Sequence, residues 1–175
     1  KEAFKKAIGC RGEYLDAHLN LAAVMFKAGD IDGAEAQYRE ILKKHEDLAE
    51  GHAGLGVLLL AAGHLEKAVE SFREAVKNKP NLGLAQYNLA TAAGAELGET
   101  EATAIRELLE DKNLPESERA KLYFALGEIS DQRGNWETAF ANYEAGNQLR
   151  KDQLARRGQS FDADDFDQRI DKIIS

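Results

Sequence analysis

The sequence predicts an all-α fold, a right-handed superhelical array of antiparallel helix pairs, and three observations carry that expectation. Residues recur at a 34-residue interval: Phe4, Tyr38 and Phe72, then Leu21, Leu55 and Leu89, with Gly29/Gly63 and Ala34/Ala68 in the same step. Within each period the apolar residues return every three or four positions, the spacing of one helical face. Helix breakers fall one period apart at Gly29-Asp30 and Gly63-His64, and a further one stands at Lys79-Pro80-Asn81. A fixed period of this size marks units that bury their apolar faces only against their neighbours.

The elements follow in order. Phe4 and Ala7 place a half unit, a second helix only, at 1–14. In 15–28, Leu15, Leu19, Ala22, Met25 and Phe26 share a face. Gly29 suits the positive φ with which chains often leave helices, and Asp30 offers an acceptor to the exposed amides of a helix over Ile31–Lys44. The pattern repeats as helices over 49–62 and 65–78, and Pro80 cannot continue the second. The third period is irregular: its corner glycine is expected at Gly98, and Leu89 to Leu126 is 37 residues instead of 34. Ser117 or Asn113 is expected to start the next helix, with Pro115 in its first turn. A further pair follows through Tyr123, Leu126-Gly127, Gly134-Asn135-Trp136, Ala139 and Tyr143, its second helix running to about Arg156. After Gly158 a last helix is expected over 162–174, with Phe166, Ile170 and Ile173 on one side.

The recurring Leu-(Gly/Ala), Gly, Ala, (Phe/Tyr), Ala, Pro resembles the tetratricopeptide repeat, best in Leu55-Gly56, Gly63, Ala68, Phe72, Ala75 and Pro80. The resemblance covers about residues 1–157. It divides the chain into a partial repeat at 1–14, repeats at 15–48 and 49–82, a degenerate repeat at 83–119, and a repeat with an extended second helix at 120–157. Residues 158–175 are expected to be a linker and short helix at the junction to a further domain. The run around Ala139-Phe140, Tyr143, Gly146-Asn147 and Leu149-Arg150 is similar to the last repeat of bacterial repeat–sulfotransferase fusion proteins. That resemblance implies an interaction module preceding a sulfotransferase-like domain.

Composition narrows the function classes. The chain has 175 residues and a net charge of −8, with Lys and Arg dispersed, whereas phosphate binding needs a clustered positive face. Nucleic acid is not expected as a partner. No apolar run approaches the ~18 residues of a membrane span, so no membrane partner is expected. The chain opens on Lys1-Glu2-Ala3-Phe4, without Met or a secretory pattern, and reads as part of a longer protein. The single cysteine, Cys10, suits a reducing compartment, so a cytoplasmic location is expected.

No catalytic, cofactor or metal constellation stands out. His18 and His52 occupy equivalent places one period apart, but packed helix axes lie about 8–10 Å apart. That is too far for imidazoles sharing an ion at ~2.0–2.1 Å each. His45 and His64 fall at helix ends. Asp162–Asp167 lacks the glycine and glutamate of a calcium loop and suits a helix N-terminus. The function expected is binding of a protein or peptide in the concave groove that the resemblance implies. Its candidate residues are Leu19, Ala23, Phe26 and Lys27 in the first full unit, and Ala53, Val57 and Leu60 in the second. Tyr87, Asn88 and Thr91 follow in the third, then Lys121, Phe124 and Glu128 in the fourth. The carboxylate clamp of chaperone-binding members is not expected, because only Asn88 and Lys121 match it and Ala53, Val57 and Ala125 stand at its other places. The alternative function is a structural scaffold that self-associates through exposed array ends, whose uncapped units normally need polar faces.

Overall fold

The computed structural model describes residues 15–158. Phe4, Cys10 and the helix expected over 162–174 lie outside the described residues. Among the described residues eight α-helices follow one another: α1 (Leu15–Lys27), α2 (Ile31–Lys44), α3 (Ala49–Ala61), α4 (Leu65–Asn78), α5 (Gly83–Ala93), α6 (Glu99–Leu109), α7 (Glu116–Gln132) and α8 (Trp136–Arg156). A 3₁₀ turn, Gly94–Glu96, separates α5 from α6. The elements α2, α4 and α8 have the predicted extents.

Three hairpins, α1–α2, α3–α4 and α7–α8, turn at glycines with positive φ: Gly29 (80°), Gly63 (81°) and Gly134 (73°). After each, a backbone N–H reaches back five residues, as from Asp30 to Met25 and from Asn135 to Ser130. This closes the helix end in a Schellman-type turn. Asp30 then caps α2, its Oδ1 accepting from the Gly33 N–H at 3.1 Å.

Close helix approach is set by rings facing glycines. A Cβ on Gly56 of α3 would lie 2.5 Å from Phe72 Cε1, and one on Gly127 of α7 would lie 2.5 Å from Tyr143 Cε1. Between hairpins, Tyr38 of α2 meets Gly54 of α3 in the same way. Phe72, Leu58, Ile105, Leu122 and Ile129 are the largest fully buried side chains, and one apolar cluster runs continuously from Ala22 to Ile129.

The third unit departs from this plan. The step that carries Tyr38 to Phe72 leads next to Arg106, which is exposed and pairs with Glu99 at 2.6 Å. Without a ring to seat, α5 and α6 do not come within 8 Å of each other, Cα to Cα. The corner is at Gly94 (φ 55°), not at Gly98 as expected. Gly98 instead precedes α6 in extended conformation and donates its N–H to Glu101 Oε2 at 2.9 Å. Pro115 lies just before α7, not inside its first turn. Its extended ψ of 138° excludes it from the helix while its carbonyl accepts from Glu118 and Arg119. The three extra residues of this unit fall near that loop, where Leu114 is buried and Arg119 donates to the carbonyls of Leu109 and Asp111.

The stacking order defines an inside and an outside. Successive first helices touch, α1 with α3, α3 with α5 and α5 with α7. Among the described residues the second helices α2, α4, α6 and α8 do not touch one another. Helices that crowd together lie on the inner side of a curve, so α1, α3, α5 and α7 form the concave side.

Two substitutions test the ring-and-glycine seating. Phe72→Ala is expected to cost about 3–5 kcal/mol. Gly56→Ala is also expected to lower the urea midpoint, although alanine is the better helix former by about 1 kcal/mol, because the new methyl meets a fully buried ring. A higher midpoint for Gly56→Ala would contradict the seating.

Candidate functional site: a cationic cleft at the C-terminal end of the groove

The opened third unit leaves α5 free to pack closely on α7. Gly83, at the start of α5, makes the approach possible, since a Cβ there would lie 2.8 Å from both Glu118 O and Lys121 Cβ. Glu118 then bridges the helices: Oε2 accepts from the Gly83 N–H at 2.8 Å and Oε1 accepts from Lys121 Nζ at 2.7 Å. One turn further along, Tyr87 and Phe124 meet edge to face, with ring centroids 6.3 Å apart at 68°. That geometry matches the quadrupoles of the two rings.

The third wall is α8. Gly146 lies against α7, where a Cβ would come 2.9 Å from Phe124 Cε1 and 3.1 Å from Ala120 O. One turn beyond that contact, the Arg150 guanidinium sits 5.8 Å from the Phe124 ring centroid, a cation–π distance. Arg156 ties the end of α8 to the first turn of α7 through Glu116 at 2.6 Å. The result is a cleft of about 420 Å³ lined by Leu84, Tyr87, Ser117, Ala120, Lys121, Phe124, Arg150 and Gln153.

Its chemistry is one-sided. The charged lining residues are both cations, on a chain whose net charge is −8. Lys121 has Glu118 as a partner, while Arg150 makes no ion pair among the described residues. Ser117 and Gln153 add hydrogen-bonding groups, and Leu84, Tyr87 and Phe124 form an apolar floor. A larger hollow, about 710 Å³, lies between α2, α3 and α4, but Arg39, Lys43, Glu40, Glu70 and Glu74 give it both signs of charge. Its size comes without a distinct chemical character.

The predicted groove residues divide into separate groups. Tyr87, Lys121 and Phe124 come together in the cleft. Leu19, Phe26 and Val57 are half-buried and pack on the core, so each serves stacking as well as surface. Ala23 is half-buried, Lys27 is exposed and Leu60 is 36% exposed. Ala53 is a correction: it is only 2% exposed and packs with Ala75 and Ala85 where α3, α4 and α5 meet, so it cannot line a groove. Thr91 is exposed, its hydroxyl donating to the Tyr87 carbonyl at 3.0 Å. Asn88 keeps its Nδ2 enclosed without a hydrogen-bond partner among the described residues. Glu128 accepts from the Tyr143 hydroxyl at 3.0 Å, so it braces the α7–α8 hairpin. Burial, and then this carboxylate, raise the Tyr143 pKa above the ordinary phenol value.

Ser117, Arg150 and Gln153 were not among the predicted site residues. The available signal was the length of α8, whose 21 residues exceed the 14 of α2 and α4 and carry Arg150 and Gln153 past the normal end of a unit. Two of the four histidines have local partners, with His18 Nδ1 3.1 Å from Gln37 Nε2 and His52 Nε2 2.8 Å from the Glu46 carbonyl. No group of three His, Cys, Asp or Glu able to hold a metal ion occurs among the described residues, and none of the described helices is long and apolar enough to cross a membrane.

The fold is that of a helical-repeat solenoid with a concave side. The tetratricopeptide-repeat family model matches residues 19–83 and 54–96, so that part of the chain is similar to tetratricopeptide repeats. Solved structures extend the likeness along the array. YrrB, described as a TPR protein with an unusual peptide-binding site, is 19% identical with a TM-score of 0.61 over 90% of this chain and 84% of its own. MamA is 15% identical with a TM-score of 0.60 over 88% of each chain. Pseudomonas aeruginosa pilF is 20% identical with a TM-score of 0.62, over 83% of this chain and 69% of its own. No curated protein matches the sequence.

One contact near the groove gives a pH prediction. Glu50 of α3 accepts from Lys79 Nζ at 2.7 Å, which holds its carboxyl below the ordinary value of 4.5 against an opposing effect of burial. A depressed carboxyl contributes stability above its unfolded pKa and loses it as pH falls through the folded value. Both partners are exposed, so Glu50→Gln is expected to cost only about 0.2–1 kcal/mol at pH 7. The difference in urea midpoint should shrink as the pH is taken down below the ordinary carboxyl value of 4.5.

Proposed function

We propose that this solenoid binds an extended peptide along its concave side, and that the α5–α7–α8 cleft takes an acidic residue or terminal carboxylate of that peptide. The observation that carries the proposal is the Arg150 guanidinium, without an ion pair among the described residues and held beside an apolar floor of Tyr87 and Phe124. A carboxylate entering the cleft gains charge-assisted hydrogen bonds, and an adjacent apolar or aromatic side chain covers Leu84 and the two rings. The peptide-binding site ascribed to the similarly folded YrrB supports the class of ligand, though the identity of 19% carries no residue across.

The finer setting we propose is that the module belongs to a larger, sulfotransferase-like bacterial protein, for which it positions a protein partner or acceptor. The support is the motif Ala139-Phe140, Tyr143, Gly146-Asn147 and Leu149-Arg150, which lies on the single unbroken helix α8. A reading frame beyond Ser175 that encodes a strand, a Gly- and Ser-bearing phosphate loop and a helix would support this setting. Further repeats there would remove it.

Binding is testable by fluorescence anisotropy with labelled ten-residue peptides, one rich in Asp, Glu and Tyr and one in which Lys replaces the acids. The acidic peptide is expected to bind and to weaken with salt. Arg150→Ala is expected to lower its affinity about tenfold or more, the range for a hydrogen bond to a charged group, and Phe124→Ala to do the same. Equal binding of both peptides, or an unchanged affinity for Arg150→Ala, would refute the cationic-cleft assignment.

A further inference from the structure

The two cations of the α5–α7–α8 cleft are not equally available. Arg150 makes no ion pair among the described residues, whereas the Lys121 ammonium donates to Glu118 Oε1 at 2.7 Å. Glu118 is itself held from two sides. Its Oε2 accepts from the Gly83 N–H at 2.8 Å, one of the amides that a helix leaves unbonded at its start, here the start of α5. Glu118 also stands in the first turn of α7, so two helix N-termini favour its negative charge. Its side chain is 22% exposed, the least of any carboxylate in the ion pairs of the described residues. Lys121 lies three residues further along α7, a spacing that puts both side chains on one face. Lys79 also feels the Glu118 charge, but its ammonium donates to Glu50 at 2.7 Å.

We propose that Glu118 sets this cleft to receive a single negative charge, a specificity that rests on the acidic-peptide reading of the site. Arg150 takes one carboxylate in charge-assisted hydrogen bonds. A second acid beside it meets Lys121, whose charge Glu118 already balances, and meets the Glu118 carboxylate as a like charge. Even when the ammonium turns toward a ligand, the carboxylate stays fixed to Gly83, so the pair as a whole remains neutral. Placing a like charge against the wrong ligand is a general route to discrimination. The ligand class that follows is a lone acid flanked by an apolar or aromatic side chain. Leu84, Tyr87 and Phe124 favour the flanking group, while lengthening the acidic run adds little because Glu118 withholds the second cation.

The test compares two end-blocked peptides that share a tyrosine and carry either one glutamate or two adjacent ones. Affinities are read by amide-shift titration at one fixed ionic strength. The unaltered protein is expected to bind both within about twofold, since a second acid gains little from a lysine that is already paired. Glu118→Gln keeps an oxygen for the Gly83 N–H and removes the charge. It is expected to favour the two-acid peptide about tenfold, the range for a hydrogen bond to a charged group. In a Lys121→Met background the same substitution is expected to shift that ratio by less than about twofold, which separates release of Lys121 from a mere change in net charge. A strong preference for two acids in the unaltered protein overturns the proposal. So does the absence of a gain in Glu118→Gln, or a gain that survives Lys121→Met. In each of these cases the one-acid peptide still binds through Arg150 and the peptide reading stands. Failure of both peptides to bind any of the proteins removes that reading and this specificity with it.

Discussion

Each of the three regular hairpins depends on a small residue in its first helix that admits the second. In α3 and α7 that residue is a glycine under a ring, Gly56 beneath Phe72 and Gly127 beneath Tyr143. In α1 the fully buried Ala22 stands at the same place. Seating a ring against backbone brings two helix axes close over a large apolar area, and the positive-φ glycines at the corners allow the tight reversal this requires. Stacking of one unit on the next repeats the device, with Tyr38 reaching Gly54 across the boundary. The core therefore forms as a chain of neighbour contacts, and no single central cavity arises.

The candidate site follows from the one unit where this constraint lapses. Arg106 replaces the ring, the α5 and α6 backbones stay apart, and α5 packs instead on α7 through Gly83. That contact aligns Tyr87 with Phe124. The long α8, admitted by Gly146 and tied back by Arg156 to Glu116, places Arg150 over the same ring. A local loss of regular packing thus produces a cleft that combines two cations with an apolar floor. Its cationic character contrasts with the acidic balance of the whole chain, which favours anionic groups at this end of the groove by short-range attraction.

Much of the fold is legible in the sequence because the period is a packing rule. Glycine, alanine and ring positions repeat wherever helices must approach, and the extents of α2, α4 and α8 follow from their breakers. The third unit was less legible. A glycine's presence does not reveal its φ: the period points to Gly98 for the corner, whereas the backbone places the positive φ, +55°, at Gly94. Within the groove, Tyr87, Lys121 and Phe124 were readable from their place on first helices. Ala53 misled because alanine on such a helix serves either the surface or the seam, and neighbouring Ala75 and Ala85 settle which. Arg150 and Gln153 escaped because they lie on a second helix, which reaches the concave side only through its extra turns.

The central claim is that ligand engages the inner face at the α5–α7–α8 end. It is tested most directly by amide chemical-shift mapping of the isotope-labelled protein during titration with an acidic, tyrosine-containing peptide. The account predicts perturbations concentrated on α5, the first half of α7 and the turns of α8 around Arg150. Perturbations gathered on the outer face formed by α2 and α4, with α7 silent, would contradict it.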